Sequence, residues 1–151
     1  MVFILSVIII ILDQISKYTA IRFLKGNSPI VIIPDVFNLH YVENAGAAFG
    51  ILQQKRIFFV IITFIVIAFI SFYLVKNYYD INAYTRITLA MLIGGAIGNL
   101  IDRIRHGYVV DFFSVNLFKL YDFPVFNVAD IFIVVSTILL AILILFDRIE
   151  A

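Results

Sequence analysis

Two aspartates in the second half of the chain have surroundings in which a carboxyl group could perform acid–base chemistry. Asp111 interrupts the apolar and aromatic run VVDFF at residues 109–113, and Asp130 ends the run FNVAD at residues 126–130. Two carboxyl groups held close together in a low dielectric cannot both ionise, so they share a proton. One can then activate a water molecule while the other hydrogen-bonds a peptide carbonyl oxygen. Such a pair could hydrolyse a peptide bond without a metal or an organic cofactor.

Of the two aspartates, Asp130 can also be explained by structure alone. Asp111 has no evident salt-bridge partner in its own segment. Asn127 could cap a helix that begins after it, which would place Asp130 at the third helical position, where an acid also suits the helix dipole. Because one residue can both cap a helix and catalyse, the capping explanation does not exclude the catalytic one.

Ionisable residues also occur inside an apolar segment near the start of the chain. Asp13 and Lys17 are four residues apart and so adjacent on one helix face, together with Ser6 and Ala20. Burying such groups in a membrane costs on the order of 2.5–3.5 kcal/mol each, so each needs a partner or a use. The pair is either a structural ion pair that faces other helices or an indirect support for an active site.

A third polar group follows a cluster of small residues. The segment GGAIGNLIDR at residues 94–103 contains three glycines, which permit close helix approach, and then Asn99, Asp102 and Arg103. The structural explanation is a helix-packing motif that ends in an Asp102–Arg103 pair at the membrane interface. Gly95, Asn99 and Asp102 share one face of the helix, and the polar residues at its end lie near the same membrane face as Asp111 and Asp130, which is the functional explanation.

The elements that must position these residues are membrane helices. The 151 residues are 64% hydrophobic and 14% charged, with a mean hydropathy of +1.10, against about 45–50% apolar residues in soluble domains. A crossing needs about 20 mainly apolar residues. Four segments qualify, and with no linker between them we expect one domain over residues 1–151: Val2–Leu24, 57–75, 87–101 with flanking turns, and 128–146.

Composition makes several other classes of protein improbable. The net charge of +1 and the dispersed lysines and arginines do not favour nucleic acid, and the absence of cysteine removes thiol chemistry. With only His40 and His106 as histidines, a zinc site is not expected. The chain also lacks a Gly-x-Ser-x-Gly elbow and a phosphate-binding loop.

The connections between the four segments are unequal. Four crossings place the long connection (25–55) and the medium one (105–124) on one membrane face, opposite the termini and the short connection (76–86). In the long connection, Ile30–Ile33 and residues 36–42 are rich in β-branched and aromatic residues around Pro34 and Asp35, which predicts two short strands joined by a turn.

Two features bear on how the chain sits in the membrane. The first segment has no basic start and contains Asp13 and Lys17, so we expect it to be retained rather than cleaved as a signal peptide. Basic residues are more numerous on the face of the long and medium connections. The positive-inside rule by itself would therefore place the termini outside the cytoplasm.

Five motifs in this order resemble the lipoprotein signal peptidases, the signal peptidase II family. They are DQISK (13–17), NAGAAFG (44–50), GGAIGNLIDR (94–103), VVDF (109–112) and FNVAD (126–130), and they extend from the first segment into the fourth. Any one of them alone would be a weak signal, but their order and topology together are specific.

The resemblance implies an all-α membrane protein with four transmembrane helices, a small extracytoplasmic β-sheet and a loop lid. The expected location is the bacterial cytoplasmic (inner) membrane, with cytoplasmic termini and an active site near the extracytoplasmic face. The implied activity is that of an aspartic endopeptidase, which removes the signal peptide from diacylglyceryl-modified prolipoproteins on the amino side of the lipidated cysteine. Membrane lipids and globomycin-type peptides, which mimic the substrate, are expected to bind.

The resemblance also assigns roles by motif position. Asp111 and Asp130 are the expected catalytic pair, with no metal and no cofactor. Residues expected to contact the substrate or line the site are Asn44, Gly46, Asn99, Arg103, Asn127 and Ala129. Asp13, Lys17 and Asp102 are expected to form a supporting network.

Two other classes of function remain as alternatives. A small transporter or proton-conducting subunit would also contain intramembrane ionisable residues. It would need polar groups through the whole membrane depth, whereas the segment 57–75 has almost none. A purely structural membrane protein would leave the two aspartates without a use.

Overall fold

Four helices form the membrane-spanning part of the computed structural model, which describes residues 2–46, 55–117 and 121–150. They are α1 (Val2–Leu24), α2 (Arg56–Lys76), α3 (Ala83–Arg105) and α4 (Val128–Leu145). Each is long and apolar enough to cross a membrane, which confirms the four predicted crossings.

The third helix is longer at both ends than the apolar core from which it was predicted. It begins after Asn82, whose side chain accepts a hydrogen bond from the backbone N–H of Thr85, and it ends at Arg105. The polar residues of its first and last turns hid these ends from a hydropathy argument.

Helix α3 is the centre of the bundle and packs against the other three helices. Three glycines make this possible, because a Cβ atom at each would meet a neighbouring helix. It would lie 3.0 Å from Ser6 O at Gly94, 2.7 Å from Ala129 O at Gly95 and 2.5 Å from Asp13 Oδ2 at Gly98. The predicted packing motif is therefore present, and both α1 and α4 approach the same segment of α3 closely.

Adding a methyl group at Gly98 is expected to destabilise the protein. In Gly98→Ala the new Cβ would overlap the Asp13 carboxylate, so α1 and α3 would have to separate, and overpacking of this kind costs about 1–3 kcal/mol. The measurement is the thermal unfolding midpoint in detergent. Ala68→Val, at an exposed position of α2, is the control and should leave the midpoint unchanged. An unaltered midpoint for Gly98→Ala would contradict the close approach.

Helix α1 presents one narrow stripe to the rest of the protein. Its buried residues recur every three or four positions, while most of its other large apolar side chains are exposed, as suits contact with lipid. Asp13 and Lys17 lie on this stripe, as predicted. The full set of buried residues is Ser6, Ile9, Asp13, Lys17, Ala20 and Leu24.

An antiparallel sheet lies at the end of the bundle where α1 and α3 finish. Its strands, in spatial order, are β1 (Ile30–Ile33), β2 (Phe37–Asn44), β3 (Val109–Leu117) and β4 (Tyr121–Asp122). The first strand matches its prediction, and the second begins one residue later and ends two residues later than predicted. Asp35, in the turn between them, has a positive φ of 61°.

The residue pattern by itself did not predict β3 in the medium connection, although the family resemblance placed part of the sheet there. This strand pairs with β2 so that Asp111 lies opposite Val42 and Val109 opposite Asn44. The polar residues within VVDFFSVNL weaken its strand pattern. The second half of the NAGAAFG motif (47–50), Lys119 and most of the predicted lid lie outside the described residues.

Candidate active site

The N-terminus of α4 is fixed by a reciprocal cap. The Asn127 side chain accepts a hydrogen bond from the backbone N–H of Asp130, and the Asp130 carboxylate accepts one from the backbone N–H of Asn127. The predicted cap is therefore present, with Asp130 at the third helical position. Because the cap uses Asp130 Oδ2, the other oxygen remains available to other groups.

Asp111 reaches the same place from the sheet. It is 1% exposed, and each of its oxygens accepts one hydrogen bond from an amide. Asn127 Nδ2 donates to Oδ1 at 2.6 Å, and Asn44 Nδ2 donates to Oδ2 at 2.9 Å. The oxygen of the Asn44 amide in turn accepts from the Gly46 N–H at 3.0 Å, which fixes the orientation of that amide.

Asn99 of α3 completes the link between the two aspartates. Its Nδ2 donates to Asp130 Oδ1 at 2.7 Å, and its Oδ1 accepts from Asn127 Nδ2 at 3.2 Å. Asn127 therefore bonds to both aspartates and to Asn99. Residues from β2, β3, α3 and α4 thus meet around one pair of carboxyl groups.

The surroundings of Asp111 make its carboxyl easier to protonate than that of an exposed aspartate. Burial, and then the negative charge of the nearby Asp130, raise the pKa of the Asp111 carboxyl to about 7, although the hydrogen bonds from Asn44 and Asn127 oppose this shift. A carboxyl group with such a pKa can hold or release its proton at neutral pH, which acid–base catalysis requires.

The predicted supporting residues form a buried network beneath the pair. Lys17 Nζ lies 2.9 Å from Asp13 Oδ2 and 3.1 Å from Asp102 Oδ2. Asp102 is therefore paired with Lys17 and does not form the interfacial pair with Arg103 that was considered as an alternative. The Arg103 guanidinium instead donates to Gly46 O at 3.3 Å and lies over the Phe59 ring.

A cavity of about 480 Å³ opens beside the two aspartates. Five of the eight residues predicted to catalyse or to contact the substrate line it, whereas Gly46, Asn127 and Ala129 do not. Ala129 is fully buried, and its N–H donates to Asp13 Oδ1 at 3.0 Å. The polar part of the lining consists of Asn44, Asn99, Arg103, Asp111 and Asp130. The apolar part consists of Val109, residues 123–126 and Ile131, Ile133, Val134 and Val135.

Two parts of the site were not singled out in the sequence. Gln14 donates to Asp13, Gly98 O and Asp102. Its polar side chain in the apolar first segment, beside Asp13, was a usable signal. The apolar wall formed by residues 123–126 had no comparable signal, because those residues resemble any other apolar connection. Within residues 2–46, 55–117 and 121–150, no group of three His, Cys, Asp or Glu side chains could hold a metal ion.

The fold and site together define a multi-pass membrane protein with a carboxylate pair at one end of a four-helix bundle. The family model described as signal peptidase (SPase) II matches residues 5–146. The chain therefore belongs to the signal peptidase II family and is a protease.

Curated proteins and a solved structure are similar to this protein over nearly its whole length. A lipoprotein signal peptidase from Caldanaerobacter subterraneus subsp. tengcongensis is 45% identical over 146 residues, which is 97% of each chain. One from Clostridioides difficile is 44% identical over 97% of this chain and 96% of its own. A solved structure described as a bacterial membrane enzyme at 2.3 Å has a TM-score of 0.88 and 37% identity, covering 97% of this chain and 88% of that one.

Proposed function

We propose that this protein removes the signal peptide from diacylglyceryl-modified prolipoproteins, cutting on the amino side of the lipidated cysteine, with Asp111 and Asp130 as the catalytic pair. The observation that carries the proposal is that Asn127 hydrogen-bonds both carboxyl groups while both line one cavity. The curated relatives named lipoprotein signal peptidase support the substrate class.

The proposed reaction needs one proton shared between the two aspartates. The deprotonated carboxylate takes a proton from water, and the resulting hydroxide attacks the carbonyl carbon before the cysteine. The protonated carboxyl hydrogen-bonds the carbonyl oxygen as negative charge develops there. When the tetrahedral intermediate collapses, a proton passes to the leaving amine of the cysteine, and the pair returns to its starting state.

The remaining site residues divide by position. Asn44, Asn99 and Arg103 line the cavity, so they are proposed to contact the substrate backbone and carbonyl groups. Gly46 accepts from Arg103 and would hold that guanidinium in place. Asn127 and Ala129 lie at the start of α4, and they are proposed to shape the wall around the scissile bond, Ala129 from behind. The mechanism uses no metal and no cofactor.

The apolar wall of the cavity supports a lipid-bearing substrate. Residues 123–126 and the α4 side chains lie next to the catalytic carboxyl groups, so acyl chains could lie along α4 while the peptide bond reaches the aspartates. Membrane lipids would surround the bundle, and cyclic peptides of the globomycin type would occupy the same cavity as substrate mimics.

Cleavage is expected to depend on prior lipidation of the substrate. Burial of an acyl chain contributes about 0.8 kcal/mol per CH₂ group, so a prolipoprotein without diacylglycerol should be a poor substrate. The measurement is the rate of signal-peptide release from the lipidated protein and from a cysteine-to-alanine version in the same detergent. Equal turnover of the two substrates would contradict the proposed specificity.

The termini are proposed to face the cytoplasm, with the sheet and active site on the opposite side. The C-terminal segment and the α2–α3 connection meet at the end of the bundle away from the sheet, where Asn82 N donates to Ile149 O at 3.0 Å. A reporter fused after Ala151 that is active only in the cytoplasm is the expected result. Activity only outside the cytoplasm would reverse the orientation and agree with the basic-residue count.

A transporter or proton-conducting subunit is less well supported. Among the described residues, three of the four buried ionisable groups form one cluster in which Asp13 and Asp102 both bond to Lys17, and the fourth, Asp111, lies at the cavity. Helix α2 contributes only apolar and aromatic side chains over most of its length. A conduction path through the membrane would need polar groups at all depths.

A further inference from the structure

The Lys17 ammonium is 2% exposed, and the proposed reaction gives it no proton to transfer. It donates to Asn99 Oδ1 at 2.8 Å and lies 2.9 Å from Asp13 Oδ2 and 3.1 Å from Asp102 Oδ2. An ammonium has three N–H donors and no acceptor. These three oxygens therefore use all of its hydrogen-bonding capacity.

Two of the three partners also hold the backbone just before a catalytic aspartate. Asp13 Oδ1 accepts from the N–H of Ala129 at 3.0 Å, and Ala129 directly precedes Asp130. Asp102 Oδ2 accepts from the N–H of Val110 at 3.0 Å, one residue before Asp111. A shift of either carboxylate would therefore move the chain segment that presents a catalytic group.

The third partner acts on a catalytic side chain. An amide nitrogen cannot accept from an ammonium, so Lys17, together with Asn127, keeps Asn99 Oδ1 turned towards them and Nδ2 turned towards Asp130. Without Lys17, Asn127 Nδ2 would be the one remaining donor to Asn99 Oδ1 among these groups, so the Asn99 amide would be held less firmly. The geometry of the hydrogen bond from Asn99 Nδ2 to Asp130 Oδ1 would then be less well defined.

We propose that Lys17 is a positioning residue for the catalytic pair, and that its three N–H donors set the spacing and orientation of Asp111 and Asp130. This inference rests on the proposed function. Lys17 does not line the cavity, so its removal should lower kcat and leave KM nearly unchanged. A residue that only balanced the charges of Asp13 and Asp102 would affect the amount of folded protein and not the turnover of each folded molecule.

The test separates charge balance from positioning. Lys17→Met leaves two buried carboxylates without a cation, so it should lower the yield of folded protein. Lys17→Met combined with Asp13→Asn removes one charge of each sign, so the net charge of the cluster is unchanged. The asparagine at position 13 also keeps an oxygen that can accept from the Ala129 N–H. We expect this double variant to fold well, with kcat per folded molecule about 10²-fold lower and KM within about two-fold of wild type.

Controls make each outcome decisive. Lys25→Met removes an exposed lysine paired with Glu43 and should leave kcat unchanged. If kcat in the double variant recovers together with folding, Lys17 serves charge balance only and the proposal fails. A raised KM at constant kcat would also overturn it. If the double variant folds poorly, Lys17→Gln, which keeps a donor for Asn99, can take its place. Its kcat per folded molecule is again expected to be lower than that of wild type.

The positioning role and the proposed function fail in different ways. If wild-type protein does not cleave a lipidated prolipoprotein, or if Asp111→Asn cleaves it as well as wild type, the proposed function is wrong. If wild type is active, Asp111→Asn is inactive and the double variant has wild-type kcat, the proposed function stands and the role of Lys17 is refuted.

Discussion

Replacing Asp111 or Asp130 with asparagine is expected to abolish cleavage of a lipidated prolipoprotein while leaving most of the protein folded. The amide is nearly isosteric with the carboxylate, but it can neither take a proton from water nor give one to the substrate. General acid–base catalysis contributes typically about 10²–10⁴-fold. In the proposed mechanism both carboxyl groups also position the attacking water, so the loss should fall at or beyond the upper end of that range.

The decisive quantity is turnover per folded molecule, together with binding of a globomycin-like peptide. Asp111 accepts hydrogen bonds from both Asn44 and Asn127, so Asp111→Asn can satisfy only one of these donors and should lose some stability. Asp80→Asn, at an exposed position in the short connection, is the matched control and should keep full activity. Either catalytic variant that retained more than about a tenth of wild-type turnover would refute the assignment.

Asp13→Ala is expected to reduce both the amount of folded protein and the rate. Lys17 would keep one carboxylate partner in Asp102, but the buried N–H of Ala129 would lose its acceptor. Removing one member of a buried ionic network costs about 3–5 kcal/mol, and an unsatisfied buried donor adds about 1–3 kcal/mol where no other partner is found. Because Asp102 remains as a partner of Lys17, the total loss of stability should lie near the lower end of these ranges.

The comparison with Asp13→Asn isolates the contribution of the acceptor. The asparagine keeps an oxygen for the Ala129 N–H but turns its amide nitrogen towards Lys17. We expect its unfolding midpoint in detergent to lie between those of wild type and Asp13→Ala. If Asp13→Ala were as stable and active as wild type, the network beneath the active site would have no structural role.

The helix positions, the cap of α4 and the buried face of α1 were predictable because each has a local cause. The four crossings follow from long apolar runs, and the cap at α4 follows from the order of Asn127 and Asp130 in the chain. The face of α1 that carries Asp13 and Lys17 follows from helical periodicity. These features depend on residues within one or two turns of each other, so a pattern in the sequence contains them.

Other features were missed or misjudged because their partners are distant in sequence. The partner of Asp102 is Lys17, 85 positions earlier in the chain, and not the adjacent Arg103. Strand β3 pairs with β2, with a register shift between Leu39 and Val42, and its own mixed pattern was insufficient to identify it. Gln14 could have been noticed as a polar residue in an apolar run. Which groups it bonds to could not be predicted, because two of its three partners lie on another helix.

The sequence by itself determined that this protein spans a membrane four times, which family it resembles, and which two aspartates could form a pair. Only the tertiary structure decided how the pair is held. Asn127 bonds to both carboxyl groups, and Asn44 and Asn99 each bond to one. Lys17 in turn donates a hydrogen bond to Asn99. The physical reason is that hydropathy and capping act between near neighbours. The orientation of an amide and the pKa of a buried carboxyl depend on groups that only folding brings together.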